Sequence, residues 1–236
     1  MRSFAARSTE PELMDGEHVT AAEFAACLAN LARVNTVTLA RPPTLRWLER
    51  ATAGLRPGDS FTLLDVGFGE GDMLRAVHHW ATRRGLVPML SGMDLNPRGA
   101  PAAAAATDAA MQIDYRTGDV FAAALVPPPD FIISSLVTHH MRDDEVVRFL
   151  RWMEATASRG WFVNDLHRHW LAFHGFRLLA WAARWHRFVR HDGPVSVARS
   201  FRRSDWVRLL AAAGIDRSRV TLRWLVPFRL CVGRIK

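Results

Sequence analysis

The sequence predicts an α/β fold in which parallel strands alternate with helices. From Phe61 onward, short apolar runs typical of buried strands are followed by segments with a helical spacing of apolar residues. This alternation implies parallel strands joined by right-handed crossovers. Of the 236 residues, 49% are hydrophobic, which is ample for the core of one domain. A glycine-rich turn follows the first strand, and the rest of the chain is organised around it.

This turn lies in residues 63–74 (LLDVGFGEGDML). A short apolar strand precedes Gly67, Gly69 and Gly71, and apolar residues then resume at helical spacing, so we expect the helix to begin near Glu70. Glycine at every second position permits a positive φ and lets a ligand lie against bare backbone. A turn with a purely structural role is the alternative.

Two phosphate-binding interpretations of the turn disagree with its sequence. A dinucleotide fingerprint has its third glycine where this chain has Asp72, and a carboxylate there would repel a pyrophosphate. A P-loop ends in Gly-Lys-Ser/Thr, whereas the only lysine of the chain is Lys236. The carboxylates of Asp65, Glu70 and Asp72 instead favour a cationic ligand without phosphate.

The pattern D-x-G-x-G-x-G resembles motif I of the class I methyltransferases, whose cofactor S-adenosylmethionine carries a sulfonium and an ammonium but no phosphate. Asp94 ends a second predicted strand, where an acid can accept hydrogen bonds from ribose hydroxyls. Asp119 matches the acid that pairs with the adenine amino group in this family. The run Asp-Phe-Ile-Ile-Ser-Ser-Leu at 130–136 resembles motif IV. The resemblance covers residues 61–166 well and the rest more loosely.

The resemblance implies a doubly wound, seven-stranded, mostly parallel sheet of the Rossmann-like kind, with S-adenosylmethionine as the cofactor. The implied cofactor-binding residues are Asp65, Gly67, Gly69, Gly71, Asp94, Leu95, Asp119, Val120 and Ser135. The segment at 33–35, Arg-Val-Asn, could also contact the methionine carboxylate of the cofactor. A plain surface position for Arg33 is the alternative.

Methyl transfer is an in-line displacement at the sulfonium carbon, and a hydroxyl acceptor must also lose a proton. We expect the base at the carboxyl ends of the fourth and fifth strands, where histidines that titrate near neutral pH are concentrated. The candidate catalytic residues are His139, His140, Asp165, His167 and His169. For each of them a structural role is the alternative.

The Thr-His-His-Met segment at 138–141 resembles small-molecule methyltransferases of the ubiquinone/menaquinone and polyketide-tailoring type. This resemblance implies O-methylation of a partly hydrophobic phenolic, polyketide or quinone-like metabolite, as in secondary metabolism. The Asn/Asp-Pro-Pro-aromatic sequence of enzymes that methylate amino groups of bases or glutamine is replaced here by Ser-Leu-Val-Thr. We therefore do not expect amino-group methylation of that kind.

No metal site is expected. Metal-dependent catechol-type methyltransferases need an aspartate after the fourth strand and an Asp-Asn pair after the fifth. This chain has Ser-Ser-Leu at 134–136 and the reversed order Asn-Asp at 164–165. Cys27 and Cys231 lie near opposite ends of the chain, and we expect both to be free, buried thiols.

The net charge of +8 is unevenly distributed. Residues 1–166 hold 16 arginines against 20 acidic residues, a net charge of −4, whereas residues 167–236 have a net charge of +12. The basic excess lies outside the expected cofactor region, so we do not expect a nucleic-acid partner. Two alternatives stay open: an RNA methyltransferase that uses the basic C-terminal third, and a catalytically inactive scaffold of the same fold. The oligomeric state is open as well.

We expect a single domain with four parts. These are a helical cover (1–58), the cofactor-binding core (59–166), a helical insertion (167–202), and a C-terminal helix with closing strands (203–236). Residues 1–18 show little periodicity and are expected to be a flexible lead without a signal-peptide core, so the cytoplasm is the expected location. Thr20 and Glu23 have the spacing of a capping box, and a second helix is expected to start at Thr44.

The insertion is expected to contain one long helix with a broad apolar side over 171–189, followed by a turn at 190–194. A helix packed on its own domain is the plain interpretation. A lid over a hydrophobic small-molecule acceptor is the functional one, because ligands bind above the carboxyl ends of the strands. The arginine and tryptophan pattern of residues 167–191 also fits a helix that rests on a membrane surface.

Overall fold

The computed structural model describes residues 4–13 and 30–236. The predicted capping box at Thr20 and Glu23, and also Cys27, lie outside the described residues. The first helix, α1, is described over residues 30–37. Cys231 is a free, buried thiol, as predicted.

Seven strands form one sheet. They are β1 (Ser60–Val66), β2 (Val87–Asp94), β3 (Asp114–Thr117), β4 (Phe131–Ser135), β5 (Gly160–Leu166), β6 (Thr221–Leu225) and β7 (Arg229–Ile235). Their order in the sheet is β3-β2-β1-β4-β5-β7-β6, and all pairs are parallel except those of β7 with β5 and β6. The predicted seven-stranded, mostly parallel sheet and its antiparallel closing pair are confirmed.

Helices connect and cover these strands. They are α2 (Arg41–Ala51), α3 (Asp72–Arg83), α4 (Gly99–Ala105), α5 (Asp143–Thr156), α6 (Trp170–Ala182), α7 (Arg187–Arg199) and α8 (Arg203–Ala213). α2 begins at Arg41 rather than at the predicted Thr44, because prolines are tolerated in the first turn of a helix. Among the described residues, no helix is both long enough and apolar enough to cross a membrane.

The sheet is buried on both faces. In β1, Leu63 belongs to a core cluster with Trp47 of α2 and Leu74 of α3. The next residue, Leu64, belongs to a second cluster that contains Phe149 of α5. Consecutive residues of β1 therefore point into two different cores, which explains why this strand is apolar throughout instead of alternating.

The insertion after β5 is two helices, so the prediction of one long helix is wrong. α6 ends just before Arg184, which has a left-handed φ of +52°. α7 begins after His186, whose Nδ1 accepts a hydrogen bond from the N–H of Phe188 (3.4 Å). The two helices pack tightly, since a Cβ on Gly193 would lie 2.0 Å from the ring of Phe176. This contact requires α7 to fold back on α6.

The turn predicted at 190–194 is also wrong, because these residues lie inside α7. Pro194 interrupts the helical hydrogen bonding there, and proline inside a helix is normally destabilising. Val195 and Val197 are buried in the same stretch. Tertiary packing of this helix therefore overrides the local preference of Gly193-Pro194 for a turn.

The N-terminal residues 4–13 are packed on the domain, which corrects the expectation of a flexible lead for this segment. Arg7 donates hydrogen bonds to the carbonyl of Met141 (2.8 Å) and to the carboxylate of Asp143 (2.8 Å). The N–H of Ser8 donates to the carbonyl of an α7 residue (2.9 Å). These contacts place the segment across the ends of β4 and α7.

Candidate active site

A cavity of about 660 Å³ opens at the carboxyl ends of the parallel strands, where sheets of this kind bind ligands. Its glycine wall is formed by the lining residues within 65–73 and 94–99. Its histidine wall is formed by Glu12 and by lining residues within 135–140, 166–197 and 227–229. Residues of α1 and the turn after it cover the space between the two walls.

The three glycines of the turn are required by its backbone and by its packing. Gly67, Gly69 and Gly71 have φ values of +74°, +57° and +76°, which residues with a side chain rarely adopt. A Cβ on Gly67 would lie 2.3 Å from the side chain of Val137, and one on Gly71 would lie 2.4 Å from the hydroxyl of Tyr115. Gly67 and Gly69 line the cavity, whereas Gly71 is the N-cap residue of α3 and does not.

Asp65 has a buried carboxyl group in the glycine wall, and its Oδ1 has no hydrogen-bond partner in the part of the chain that the structure describes. Burial raises the pKa of this carboxyl well above its usual range, and the neighbouring charges of Asp72 and Asp94 raise it further. A cation bound in the cavity would oppose these effects by stabilising the ionised form. The turn therefore holds a buried carboxyl group whose ionised form a cationic ligand would stabilise.

Asp94 ends β2 and holds the glycine turn in place. Its Oδ2 accepts a hydrogen bond from the N–H of Gly69 (3.1 Å), and its Oδ1 accepts one from the N–H of Asn96 (2.9 Å). Each carboxylate oxygen keeps a lone pair that a ligand hydroxyl could use. Leu95, directly after Asp94, and Ser135, at the end of β4, also line the cavity.

Asp119 and Val120 are not among the residues that line the cavity. Asp119 is exposed, and its Oδ1 accepts a hydrogen bond from the N–H of Phe121 (2.9 Å). Val120 is buried in the core cluster beneath α5. Adenine binding by these two residues stays a prediction.

A buried histidine–aspartate pair joins the ends of β4 and β5. The Nδ1–H of His139 donates to Asp165 Oδ1 (2.8 Å), while the backbone N–H of His139 and the hydroxyl of Thr138 donate to Asp165 Oδ2. Burial by itself would raise the pKa of Asp165, but His139 and these hydrogen bonds lower it to about 2. His139 lines the cavity and Asp165 lies behind it, so the aspartate fixes the orientation of the imidazole.

Glu12 faces this histidine from the N-terminal segment. Its Oε1 lies 3.6 Å from His139 Nε2, and its Oε2 lies 3.8 Å from His140 Nε2. The hydroxyl of Ser196 on α7 donates a hydrogen bond to Glu12 Oε1 (2.7 Å). Sequence reasoning missed Glu12, because no periodicity or motif around it signals a site.

Glu12, His139 and His140 together offer three ligand atoms that lie within 4.8 Å of one another. Two imidazoles and one carboxylate suit a divalent transition metal, and Asp165 would be a typical outer hydrogen-bond partner of a ligating histidine. The same atoms suit proton transfer equally well. The expectation that no metal is bound stays a prediction.

His167 and His169 follow β5 but do not line the cavity. The N–H of His167 donates to the carbonyl of Phe228 (2.8 Å), and burial lowers the pKa of the half-buried ring. His169 Nδ1 accepts a hydrogen bond from the N–H of Leu171 (3.2 Å) and so caps α6. His169 therefore has a structural role, and among the four candidate histidines only His139 and His140 line the cavity.

The rest of the histidine wall is largely apolar. Lining side chains from α6 and α7 include Leu171, Ala172, Phe176, Leu179, Val189 and Val197. Two further lining residues of the described chain are charged: the buried Asp192 of α7, and Arg229, the first residue of β7, which is 1% exposed. Sequence reasoning missed Arg229, since it is one of 14 arginines in the basic third. The insertion occupies the position that the lid interpretation predicts.

Comparisons with known proteins agree with this geometry. A family model described as a methyltransferase domain matches residues 28–216. No curated protein matches the sequence significantly.

Solved structures share the fold over nearly the whole chain. The plantazolicin methyltransferase BpumL, in complex with S-adenosylhomocysteine, has a TM-score of 0.68 at 12% identity and covers 94% of this chain and 92% of that chain. The magnesium protoporphyrin IX methyltransferase of Synechocystis PCC 6803, with the same bound product, has a TM-score of 0.56 at 13% identity, over 94% and 91%. Human N-acetylserotonin methyltransferase, in complex with S-adenosylmethionine, has a TM-score of 0.60 at 17% identity, over 93% and 59%.

At these identities the solved structures demonstrate a common fold and nothing about the acceptor. The family match, by contrast, spans most of the chain, including the glycine turn and the histidine–aspartate pair. The resemblance noted in the sequence is thereby confirmed. The chain belongs to the methyltransferase-domain family, and its fold is that of the class I S-adenosylmethionine-dependent methyltransferases.

Proposed function

We propose that the protein transfers a methyl group from S-adenosylmethionine to a hydroxyl oxygen of a small, partly hydrophobic acceptor. The observation that carries this proposal is the buried pair of His139 and Asp165 at the wall of the cavity. An imidazole held in one orientation by a carboxylate is suited to accept the proton of a hydroxyl. Phenolic, polyketide and quinone-like acceptors have hydroxyls of that kind.

The glycine wall supports S-adenosylmethionine as the cofactor. The bound cofactor supplies an electrophilic methyl group on a sulfonium. Asp65 provides a buried carboxyl group with one oxygen that no described residue hydrogen-bonds, and a cationic ligand would stabilise its ionised form, whereas a phosphate would not. Asp94 retains lone pairs for ribose hydroxyls, and the bare backbone at Gly67 and Gly69 leaves room for a close approach.

His139 is the residue to which we assign the role of base. Because its Nδ1–H donates to Asp165, the neutral ring carries its lone pair on Nε2. Nε2 can then take the hydroxyl proton while the ionised Asp165 stabilises the imidazolium that forms. Glu12, whose Oε1 lies 3.6 Å from Nε2, adds a second negative charge beside that imidazolium.

The apolar part of the histidine wall supports a hydrophobic acceptor. Pockets lined mainly by apolar side chains, with a few polar groups that fix orientation, are typical sites for small molecules. The solved neighbours are named for acceptors as different as plantazolicin, magnesium protoporphyrin IX and N-acetylserotonin, so the shared fold does not choose among them.

The test has two steps. Calorimetry with S-adenosylhomocysteine is expected to show binding, and its absence at millimolar concentration would overturn the cofactor assignment. An acceptor screen with phenols, quinols and pyrones is expected to give O-methyl products, identified by mass spectrometry. Products methylated on a carboxylate or an amine would contradict the choice of acceptor atom.

RNA methylation is the second candidate, since residues 167–236 have a net charge of +12. The same screen should therefore include total RNA, with acceptor binding measured at several salt concentrations. A steep fall of binding with salt would favour RNA, because neutralised phosphates release counterions. Cofactor binding without turnover of any acceptor would favour the inactive scaffold.

A further inference from the structure

Arg229 is a buried guanidinium whose hydrogen bonds are incomplete. It lies at the start of β7, beside the end of β5, and it lines the cavity. Its Nη2 donates to the hydroxyl of Thr38 (3.0 Å) in the turn after α1. Its Nε and Nη1 are inaccessible to solvent and have no hydrogen-bond partner among residues 4–13 and 30–236.

No described residue forms an ion pair with this guanidinium. Burial lowers the pKa of Arg229 to about 10, while Cys231, Asp165 and Asp72 act in the opposite direction. Cys231 itself is neutral near pH 7, because burial raises the pKa of its thiol to about 12. Arg229 is therefore charged at neutral pH, and the carboxylates that stabilise its charge form no ion pair with it. Such an arrangement is costly for a buried cation.

A second buried arginine shows that the fold can satisfy such a group. Arg168 is also 1% exposed. It donates to three backbone carbonyls, those of Phe4, Ala5 and Ser200, and it forms an ion pair with Asp205 (3.0 Å). Arg168 does not line the cavity, whereas Arg229 does. The incomplete arginine is thus the one that lines the cavity, where a ligand could complete its hydrogen bonds.

We propose that Arg229 binds an anionic oxygen of a ligand held in the cavity. This inference rests on the proposed function, because it takes the cavity to hold the cofactor and the acceptor. The shared chemistry is a carboxylate or another oxyanion, which arginine binds strongly through its N–H donors. Two sources are available: the methionine carboxylate of the cofactor, and an anionic group of the acceptor. Arg33, which the sequence suggested for the first of these, is exposed and does not line the cavity.

Calorimetry on an Arg229→Met variant distinguishes the two sources. S-adenosylhomocysteine carries the methionine carboxylate, whereas 5′-methylthioadenosine lacks the amino-acid part. If Arg229 binds the cofactor, the variant loses about tenfold or more in affinity for S-adenosylhomocysteine and keeps its affinity for methylthioadenosine. If Arg229 binds the acceptor, both nucleosides bind normally and the variant loses the preference for 4-hydroxybenzoate over its methyl ester in the presence of S-adenosylhomocysteine.

Melting temperatures of the ligand-free proteins test whether Arg229 is unsatisfied before a ligand binds. Removing an unsatisfied buried charge should leave the melting temperature of Arg229→Met equal to or above that of the wild type, while Arg168→Met should melt lower. Arg223→Met, at an exposed position of β6, is the matched control and should change nothing.

Three results would overturn the inference. They are a lower melting temperature of Arg229→Met without ligand, an equal loss of affinity for both nucleosides, or unchanged binding of all probes. Failure of the proposed function is distinguishable, because it would appear as absent binding of S-adenosylhomocysteine to the wild type.

Discussion

The two walls of the cavity are built in opposite ways. The glycine wall comes mainly from one short stretch of chain, and it is shaped by backbone conformation at Gly67, Gly69 and Gly71. The histidine wall brings together side chains from the N-terminal segment, the end of β4, the insertion and β7. The first wall is a local motif, whereas the second exists only in the folded chain.

The walls also differ in how they use charge. The glycine wall presents four carboxyl groups: Asp72 pairs with Arg41 and Glu70 with Arg75, whereas Asp65 is buried and forms no ion pair with a described residue. The histidine wall places Glu12, His139 and Asp165 in one hydrogen-bonded and ion-paired group, with Arg229 nearby. We therefore expect changes in the first wall to affect cofactor binding, and changes to Glu12, His139 or Asp165 to affect the chemical step.

The largest effect is expected for His139→Asn. Removing the base should lower kcat by roughly 10²–10⁴-fold. Affinity for S-adenosylhomocysteine should stay the same, because we assign His139 to proton transfer and not to cofactor binding. His169→Asn is the matched control, since this histidine caps α6 outside the cavity. Equal losses in both variants, or an unchanged kcat in His139→Asn, would contradict the division between the walls.

Chelation tests whether Glu12, His139 and His140 bind a metal ion instead. If Glu12, His139 and His140 serve proton transfer, extensive dialysis against EDTA should leave turnover unchanged. Turnover that is lost on dialysis and restored by zinc would instead indicate a metal held by these three side chains.

The second-largest effect, on binding of S-adenosylhomocysteine, is expected for Gly67→Ala. The new Cβ would lie 2.3 Å from Val137 at a φ of +74°, so the turn must shift. If strain of this size, about 1–3 kcal/mol, is expressed in ligand binding, the affinity for S-adenosylhomocysteine falls roughly 5-fold to 150-fold. Gly58→Ala is the control, because Gly58 also has a positive φ (+94°) but nothing lies near its Cβ. Similar weakening in both variants would mean that general strain, not the glycine wall, controls binding.

A smaller effect is expected in the pH dependence of stability. The pKa of Asp165 is lowered from 3.8 to about 2 in the folded protein. A lowered pKa stabilises the fold when the group is ionised, so this contribution of about 2 kcal/mol is complete above the unfolded value and is lost as pH falls towards 2. Urea unfolding of wild type and Asp165→Asn should show the difference between them shrinking from pH 5 to pH 2. In a His139→Asn background, the stability that depends on ionised Asp165 should change much less between pH 5 and pH 2. A change as large as in the wild type would contradict the pairing of His139 with Asp165.

The smallest effect concerns the outer face of α6. Trp170, Leu178 and Trp181 are more than half exposed, and Arg177 lies among them. If this face contacts an anionic membrane surface, Trp181→Glu should bind phosphatidylglycerol vesicles about threefold to tenfold more weakly than the wild type. Trp224→Glu, at an exposed position on β6, should bind as the wild type does. Equal binding of both variants, or self-association through this face in size-exclusion chromatography, would contradict the membrane contact.

The insertion shows where sequence reasoning reached its limit. The apolar side of residues 171–189 correctly indicated helical structure, because periodicity is a local property. The break at Arg184 and the helical conformation of Pro194 were not predictable in that way. They follow from the close packing of Gly193 on Phe176, which is a contact between two helices.

The sequence by itself determined the sheet, the glycine turn and the histidines beside it. These features depend on alternation, spacing and backbone freedom within short windows, and such constraints can be read along the chain. Only the tertiary structure decided that Glu12 meets His139, that Asp165 lies behind it, and that Arg229 is buried with incomplete hydrogen bonds. The bond between Ser196 and Glu12 spans 184 residues, and contacts at that separation leave no periodic trace in the sequence. They exist because folding buries these polar groups together, where each must find a partner or await a ligand.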